Sequence, residues 1–208
     1  MNNLPENIPI FPLQGVIFFP ETNLPLNIFE DRYLKMVNDV LKKDKFLGMI
    51  QSRQINGEVY KIGCLGKIDE YDRTADGRIL INLKGINRFK IHQEIKNKEP
   101  YREFSVNYDL FKDDVNLKKM EIKNNLLIEL INNSKSFFKR KGISINWLEL
   151  SKLSIHKQIY TLAMISPISS EEKQKLLEIV ELNEMANILN QITKFSFYEF
   201  SNQNKILQ

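Results

Sequence analysis

Residues 8 to 41 read IPIFPLQGVIFFPETNLPLNIFEDRYLKMVNDVL and combine extended and helical patterns in one run. Prolines interrupt its first half, as in an entry strand, a loop and a second extended piece. A helix is predicted to start near Asn27, with Glu30 three residues later as in a capping box. The apolar positions at 3.6-residue spacing are Phe29, Tyr33, Met36, Val37, Val40 and Leu41. Acids near the start and Lys42 and Lys43 at the end suit the helix dipole, so the charges need no catalytic role.

Up to about residue 110 the rest of the chain has the pattern of strands and turns. Asn56-Gly57 and Asp76-Gly77 each separate two strand-like runs, and such dipeptides favour type I′ hairpin turns. Between residues 79 and 84 apolar and other residues mostly alternate, which indicates a half-buried strand. Glycines inside the strand-like runs, at 63, 66 and 85, favour bends and therefore a small, closed or nearly closed barrel.

The second half has helical periodicity. Helices are predicted over 117–133 and 147–165, the latter stopped by Ser166-Pro167. Ser169 and Glu172 form a capping box for another helix, and a further helix follows. The predicted fold class is α+β, with a barrel subdomain carrying one helix at 1–112 and a helical subdomain at 113–208.

Composition excludes several classes of protein. The chain of 208 residues is 42% hydrophobic and 27% charged, as a globular protein is. No apolar run reaches the ~18 residues of a membrane span, the start does not resemble a secretory signal, and there is a single cysteine. We expect a reduced, cytoplasmic protein. The net charge of +4 comes mostly from dispersed lysines, and the densest basic cluster, 135–141, is interpreted as a solvated connection between helices.

Several motifs, in order along the chain, resemble the Lon protease N-terminal (substrate-binding) domain family. They are the opening stretch from Pro9 to Tyr33, KIGCLGKI at 61–68, the pattern Gly85-x-x-Arg88-Phe89, and LAMISPISSEEKQKLLE at 162–178. The last resembles bacterial stand-alone Lon-N-terminal-like proteins. The resemblance implies a PUA-like β-barrel (pseudobarrel) followed by a C-terminal α-helical bundle. It also implies recognition of unfolded or tagged polypeptides.

Sequence motifs for catalysis or cofactor binding are missing from these 208 residues. There is no G-x-x-x-x-G-K-[ST] loop for ATP, no dinucleotide fingerprint and no G-x-S-x-G elbow. Cys64, His92 and His156 are isolated in sequence, so no metal site is predicted. We therefore expect a non-enzymatic protein without a cofactor.

Apolar and aromatic residues near predicted loops supply the candidate peptide-binding residues. They are Phe18, Phe19, Leu24, Tyr71 and Arg73. An exposed patch of such side chains would mark an interaction surface. The alternative is that Phe18 and Phe19 alternate, with one buried in the barrel core and the other buried under the helices.

Three hypotheses about function follow. The first is a module that recognises exposed apolar segments of unfolded or damaged polypeptides. In one form of this hypothesis, the module is an adaptor for a protease or chaperone. The second is an RNA-binding module that uses the PUA-like barrel, although the dispersed lysines make nucleic acid the weaker alternative. The third is a structural partner that self-associates through Phe195, Phe197 and Phe200 in the tail.

Overall fold

The structure, a computed structural model, describes residues 4–53, 57–119 and 122–206. Within these ranges, the side chains of 116–119, 124 and 195–206 are not described. The described chain forms two compact units, Met1–Asn116 and Leu117–Gln208. Each unit is described separately below.

The first unit is a six-stranded barrel that closes through its longest strand. The strands are β1 (Asn7–Pro12), β2 (Asn23–Ile28), β3 (Phe46–Ser52), β4 (Val59–Arg73), β5 (Ile79–Ile95) and β6 (Glu103–Asn107). The sheet order is β2-β5-β4-β3-β1-β6, and β6 also pairs with β5. One half of β5 therefore carries β2, while the other half closes the ring with β6. This confirms the predicted pseudobarrel.

The alternation predicted for β5 is present in the structure. Ile79, Ile81 and Leu83 are buried, whereas Leu80 between them is exposed. The register of β4 against β5 shifts at Gly66, one of the glycines for which a bend is predicted. The barrel core is filled by apolar side chains from every strand of the ring, namely Ile8, Ile10, Ile50, Leu65, Phe89, Phe104 and Val106.

The β4–β5 hairpin turn differs from the predicted type I′ form. Gly77 has φ of +87°, but Asp76 is not in the positive-φ region, which a type I′ turn requires at both positions. Instead, the Gly77 N–H donates to the Thr74 carbonyl, and the Thr74 N–H donates to the Arg78 carbonyl. This is a three-residue loop with glycine in the left-handed position. In the other predicted turn, Asn56 lies outside the described residues.

The helix of the barrel unit, α1 (Asp31–Leu41), begins later than predicted. Its N-cap is Glu30, while Asn27 belongs to β2 and pairs with Leu80. The predicted cap at Asn27 is therefore wrong, because Asn27 pairs within the β2–β5 ladder and the helix starts after it. Phe29 precedes the helix and is 64% exposed. The buried residues of α1 are Tyr33, Met36, Val37 and Val40, as predicted.

A 3-10 segment (Asp109–Lys119) follows β6, and its first part is tied to the barrel. Asp114 accepts three hydrogen bonds from Arg88 of β5, through the backbone N–H, Nε and Nη2. The first unit therefore extends to Asn116, four residues beyond the boundary expected at 112.

The second unit consists of five helices within the described residues. They are α2 (Asn124–Arg140), α3 (Trp147–Ser151), α4 (Ile155–Ile165), α5 (Ser170–Glu178) and α6 (Leu182–Ile206). The capping box of Ser169 and Glu172 is present at the start of α5, as predicted. The helical region predicted over 147–165 consists of two helices, because Lys152 caps the end of α3 and Ser154 is the N-cap of α4.

Candidate functional site

The five residues proposed from the sequence do not form one exposed patch. Phe18 and Phe19 are buried, with 1% and 0% of their surface exposed, so these two cannot supply exposed aromatic surface. The prediction that Phe18 and Phe19 contribute to an exposed patch is therefore wrong, and the alternative, in which these side chains are buried, agrees with the structure. Leu24 is half-buried, while Tyr71 is 49% exposed and Arg73 is exposed.

Strand register places the remaining three residues on one face of the sheet. Leu24 pairs with Leu83, and Tyr71 pairs with Ile81 two residues away on β5. Residues two apart on a strand face the same side, so Leu24 and Tyr71 share a face. Arg73 lies two residues beyond Tyr71 and donates from Nη2 to Asn38 Oδ1 of α1 at 2.6 Å. Arg73 thus already bridges a strand to a helix.

The Gly85-x-x-Arg88-Phe89 motif builds the core. A Cβ on Gly85 would lie 1.9 Å from the Phe19 carbonyl oxygen, so only glycine allows this approach. The Arg88 side chain is fully buried against Asp114, with Nη2 2.7 Å from Oδ1. Its guanidinium stacks near the rings of Phe111 and Phe19, at 4.3 and 5.9 Å. The motif therefore fixes the loop before β2 and the 3-10 segment to the barrel.

The barrel unit carries a cleft of about 560 Å³ where β1 and β3 separate. We call it the seam cleft. β1 pairs with β3 only from Ile10 onward, while its first half, Asn7–Pro9, pairs with β6. The beginnings of β1 and β3 therefore diverge, and the cleft lies between them.

The direction in which the backbone N–H and carbonyl groups of β1 point explains why proline is tolerated at the seam cleft. The Ile10 N–H donates to the Arg102 carbonyl of the loop before β6, whereas the Leu13 N–H donates to the Ile50 carbonyl of β3. Because backbone groups alternate along a strand, Asn7 and Pro9 point toward the β3 side, into the cleft. Proline has no N–H to leave unpaired there. The N–H and the carbonyl of Asn7 are thus directed toward the cleft, whereas the register of Ile10 with Gly48 places the Pro9 carbonyl in the ladder with β3.

Side chains of both charges surround an apolar floor in the seam cleft. The floor includes Val40 and Phe46, with prolines at 5 and 9 beside them. The charged lining consists of Lys35, Lys42, Lys43, Lys45, Asp39, Asp44, Glu99 and Glu103. Equal numbers of basic and acidic groups leave the cleft without a net charge. Such a surface does not select strongly for the charge of its ligand.

One wall of the seam cleft is held by a hydrogen-bonded network. Lys35 contacts Asp39 at 2.5 Å and Glu99 at 2.9 Å, and the Tyr101 hydroxyl donates to Asp39 at 3.0 Å. The hydrogen bond from Lys35 lowers the pKa of Asp39. Burial, followed by the hydrogen bond to Asp39, raises the pKa of Tyr101 to about 12. The network fastens the loop after β5 to α1.

A smaller pocket of about 280 Å³ in the barrel unit is lined by three arginines that already have acidic partners. Arg102 contacts both carboxylate oxygens of Glu94 at 2.7 Å. Arg32 lies 2.7 Å from Glu30, and Arg53 lies 3.8 Å from Glu58. The positive charge of the pocket is therefore balanced locally, which does not favour a site for a bare anion.

The helical unit carries a groove of about 250 Å³ between α2, α3 and α4, which we call the helical groove. Leu127, Ile128 and Ile131 from α2 and Trp147 from α3 form its apolar lining. The sequence did not predict this groove, because helical periodicity over 117–133 indicates an apolar face but does not show which part of that face stays uncovered. Ile128, an apolar residue outside the face of Leu127 and Ile131, is the feature of the sequence that could have indicated it.

The described residues offer no sign of a metal site or a membrane-spanning helix. No group of three or more His, Cys, Asp or Glu residues is placed to hold a metal in the described ranges. Cys64 is buried, and burial raises the pKa of its thiol well above the ordinary value. Among the helices that the structure describes, none is long and apolar enough to cross a bilayer.

Comparison with known proteins identifies the family. Residues 7–194 match the family described as the ATP-dependent protease La (LON) substrate-binding domain. The chain therefore belongs to the Lon substrate-binding domain family. It is 28% identical over 204 residues to the Lon protease of Flavobacterium johnsoniae and 26% identical over 205 residues to that of Cytophaga hutchinsonii.

These alignments cover 89% and 90% of the chain but 24% of each relative, so the chain spans about a quarter of their length. The chain thus matches the substrate-binding part of these proteases.

Solved structures with the same fold agree with this assignment. A Lon N-terminal domain protein from Xanthomonas campestris has a TM-score of 0.62 at 19% identity, covering 88% of this chain and 96% of that one. The N-terminal domain of the Mycobacterium avium complex Lon protease has a TM-score of 0.63 at 15% identity, covering 90% and 98%. At such identities the likeness concerns the fold.

Proposed function

We propose that this protein is a non-enzymatic recognition module that binds exposed apolar segments of unfolded or damaged polypeptides in the cytoplasm. The match of residues 7–194 to a substrate-binding domain family carries the proposal. In one form of it, the module acts as an adaptor that presents the bound polypeptide to a protease or chaperone.

The seam cleft is the proposed binding place on the barrel. Its volume of about 560 Å³ lies within the ordinary range of ligand sites. Asn7 directs its backbone N–H and carbonyl toward it, and an extended peptide can use such groups as an added strand does. The apolar floor at Val40 and Phe46 would contact alternate side chains of the peptide.

The free edge of β2 is a poorer place for an added strand. Pro25 pairs with Asn82 of β5, and a residue without an N–H cannot donate in that ladder, so its backbone is directed to the free edge. A proline on an exposed edge interrupts pairing with another chain. The β2 edge is therefore a less favourable site for an added strand than the seam cleft.

The balanced charge of the seam cleft predicts binding that tolerates salt. The test is fluorescence anisotropy of the full chain against a labelled, permanently unfolded polypeptide and its folded counterpart. We expect at least tenfold tighter binding to the unfolded form, with little change between about 0.05 M and about 0.3 M salt. Equal affinity for the folded form would refute the proposed function.

A blocking substitution tests the place of binding. Asp44 lines the cleft and is exposed, so Asp44→Trp puts a bulky ring at its mouth without disturbing the core. Asp69→Trp makes the same change at an exposed site on β4 that does not line the cleft. We expect Asp44→Trp to weaken binding about tenfold or more and Asp69→Trp to leave it unchanged. Equal effects of the two substitutions on binding would place the polypeptide-binding site outside the seam cleft.

A further inference from the structure

The helical groove is lined by a stripe of α2 that the packing of the helical unit leaves partly exposed. Leu126 and Leu130 are buried on the packed side of α2, where Asn133 donates to Asn190 of α6 at 2.7 Å. Ile128, by contrast, is 60% exposed. Together with Leu127 and Ile131, it forms a second apolar stripe at helical spacing.

The neighbouring short helix adds to this apolar surface. Trp147 is half-buried in the groove and packs edge-on against Phe138, with 6.0 Å between ring centroids. Leu148 beside it is 68% exposed. Exposed aliphatic side chains that surround a partly buried aromatic ring are typical of a site for another protein.

Positive charge is concentrated around the same surface. Residues 135–157 contain six basic residues and one acidic residue. The acidic residue, Glu149, already pairs with Lys152 at 2.6 Å. Lys135 lines the groove itself, with Nζ 5.9 Å from the Trp147 ring centroid. An apolar groove is thus bordered by a strongly basic segment.

We propose that the helical groove docks an acidic amphipathic helix of a partner protein. Apolar residues of such a helix at positions i, i+3 or i+4, and i+7 would enter the groove beside Trp147. Its carboxylates would face Lys135 and the basic residues at 139–141, which steer association. This surface is separate from the seam cleft and provides the adaptor with a second, partner-specific contact.

Charge also distinguishes this occupant from a second copy of the chain. Residues 195–208, the aromatic tail for which self-association is predicted, contain one acidic and one basic residue. The tail therefore offers no charge complement to the basic segment. The exposed side chains at the groove, Ile128 and Leu148, are aliphatic, whereas single-stranded RNA is held mainly by aromatic stacking. A protein helix fits both properties better than RNA does.

The only tryptophan in the chain lines the groove, so its fluorescence reports on occupancy directly. The experiment titrates the full chain with a tryptophan-free synthetic helix that carries leucines on one face and glutamates on the other. A scrambled peptide of the same composition and a version with lysine in place of glutamate are the controls. We expect saturable binding and a Trp147 shift for the acidic amphipathic peptide only.

Paired variants locate the contact. Ile128→Asp places a charge on the groove at a highly exposed position, and Val115→Asp makes the same change at a 61% exposed position in the barrel unit. We expect at least about a tenfold loss of affinity for Ile128→Asp and no change for Val115→Asp. Lys139→Glu should weaken binding more than Lys98→Glu, which lies in the barrel unit.

Binding of the scrambled or lysine peptide as tightly as the acidic helix would overturn the proposal. Tighter, salt-sensitive binding of single-stranded RNA would also overturn it. So would an Ile128-dependent dimer mass in the absence of peptide, which would make a second copy the occupant. Asp44→Trp should leave helix binding unchanged, so failure of the seam-cleft proposal and failure of this one give different results.

Discussion

At the scale of single residues, positions that the sequence marks as a family motif turn out to hold the barrel together. Arg88 joins Asp114, Phe19 and Phe111 in one buried cluster, and Gly85 lets the loop before β2 approach β5. The Glu21 N–H donates to the Gly85 carbonyl, and the Gly85 N–H donates to the Thr22 carbonyl, both at 2.9 Å. These residues stabilise the barrel and line neither the seam cleft nor the helical groove.

Gly85→Ala should destabilise the barrel because its methyl group would overlap the Phe19 carbonyl oxygen, 1.9 Å away. Backbone has to move, so we expect a loss of about 3 kcal/mol or more in free energy of unfolding. Gly142→Ala is the control: its φ is +68° but its Cβ would meet open space, and the cost should be about 1 kcal/mol. Urea unfolding followed by circular dichroism compares them; equal losses would contradict the steric argument.

The buried ion pair should show strong coupling. Asp114→Asn leaves the guanidinium of Arg88 buried without a countercharge, which costs about 3–5 kcal/mol. Arg88→Met leaves the opposite charge behind, whereas Arg88→Met with Asp114→Asn removes both charges. The double variant should therefore lose less stability than the sum of the single changes, with a coupling of about 2–3 kcal/mol in urea unfolding. Simple additivity would show that the two side chains act independently.

At the scale of elements, alternation and capping patterns predicted the presence of helices and strands better than the residues at which they begin and end. β5 and the capping box of α5 follow directly from local sequence. The start of α1 was misplaced because Asn27 also fits a capping box, and only the pairing of β2 with β5 shows that it belongs to a strand. Local sequence patterns cannot reveal with which distant strand a residue will pair.

The candidate sites were less predictable than the fold for the same reason. The seam cleft exists because β1 changes partner between Pro9 and Ile10, from β6 to β3. That change depends on barrel closure, which involves residues about a hundred positions apart. Phe18 and Phe19 were proposed as exposed because aromatic residues near prolines resemble a loop surface, but the barrel buries both rings.

Acidic pH should loosen the hydrogen-bonded wall of the seam cleft that Lys35, Asp39 and Tyr101 form. Asp39 has a pKa below its ordinary value of 3.8, chiefly through the hydrogen bond from Lys35. A carboxyl group with a lowered pKa in the folded state stabilises above its unfolded pKa, and this contribution is lost as pH falls through the folded pKa. We expect the Asp39 carboxyl resonance in NMR to titrate below pH 3.8, together with loosening of Tyr101.

The matched variant for this titration is Asp39→Asn, which removes the titrating group. In that variant the Tyr101 signals should no longer change over the acidic range. A titration midpoint for Asp39 at or above 3.8 would contradict the role of Lys35 in holding the wall.

At the scale of the whole molecule, the two units differ in charge. Residues 1–116 contain 17 basic and 17 acidic residues, while residues 117–208 contain 13 basic and nine acidic residues. The entire net charge of +4 therefore belongs to the helical unit. The sequence interpretation of dispersed lysines agrees with the equal numbers of basic and acidic residues in the barrel, which do not favour binding of a nucleic-acid phosphate backbone there. It does not describe residues 135–157.

This distribution makes a clear prediction for the RNA-binding alternative. If the PUA-like barrel bound RNA through phosphates, affinity would depend on lysines of the barrel unit and fall steeply with salt. We expect no saturable binding of labelled single-stranded RNA at about 0.15 M salt, and only weak binding at low salt. That weak binding should be lost in the helical-unit variant Lys139→Glu with Lys141→Glu. It should persist in Lys84→Glu with Lys90→Glu, a matched pair of changes at exposed positions of β5. Tight RNA binding that disappears only in the β5 variant would establish the barrel as a nucleic-acid site and leave the family relationship as evidence of fold and ancestry.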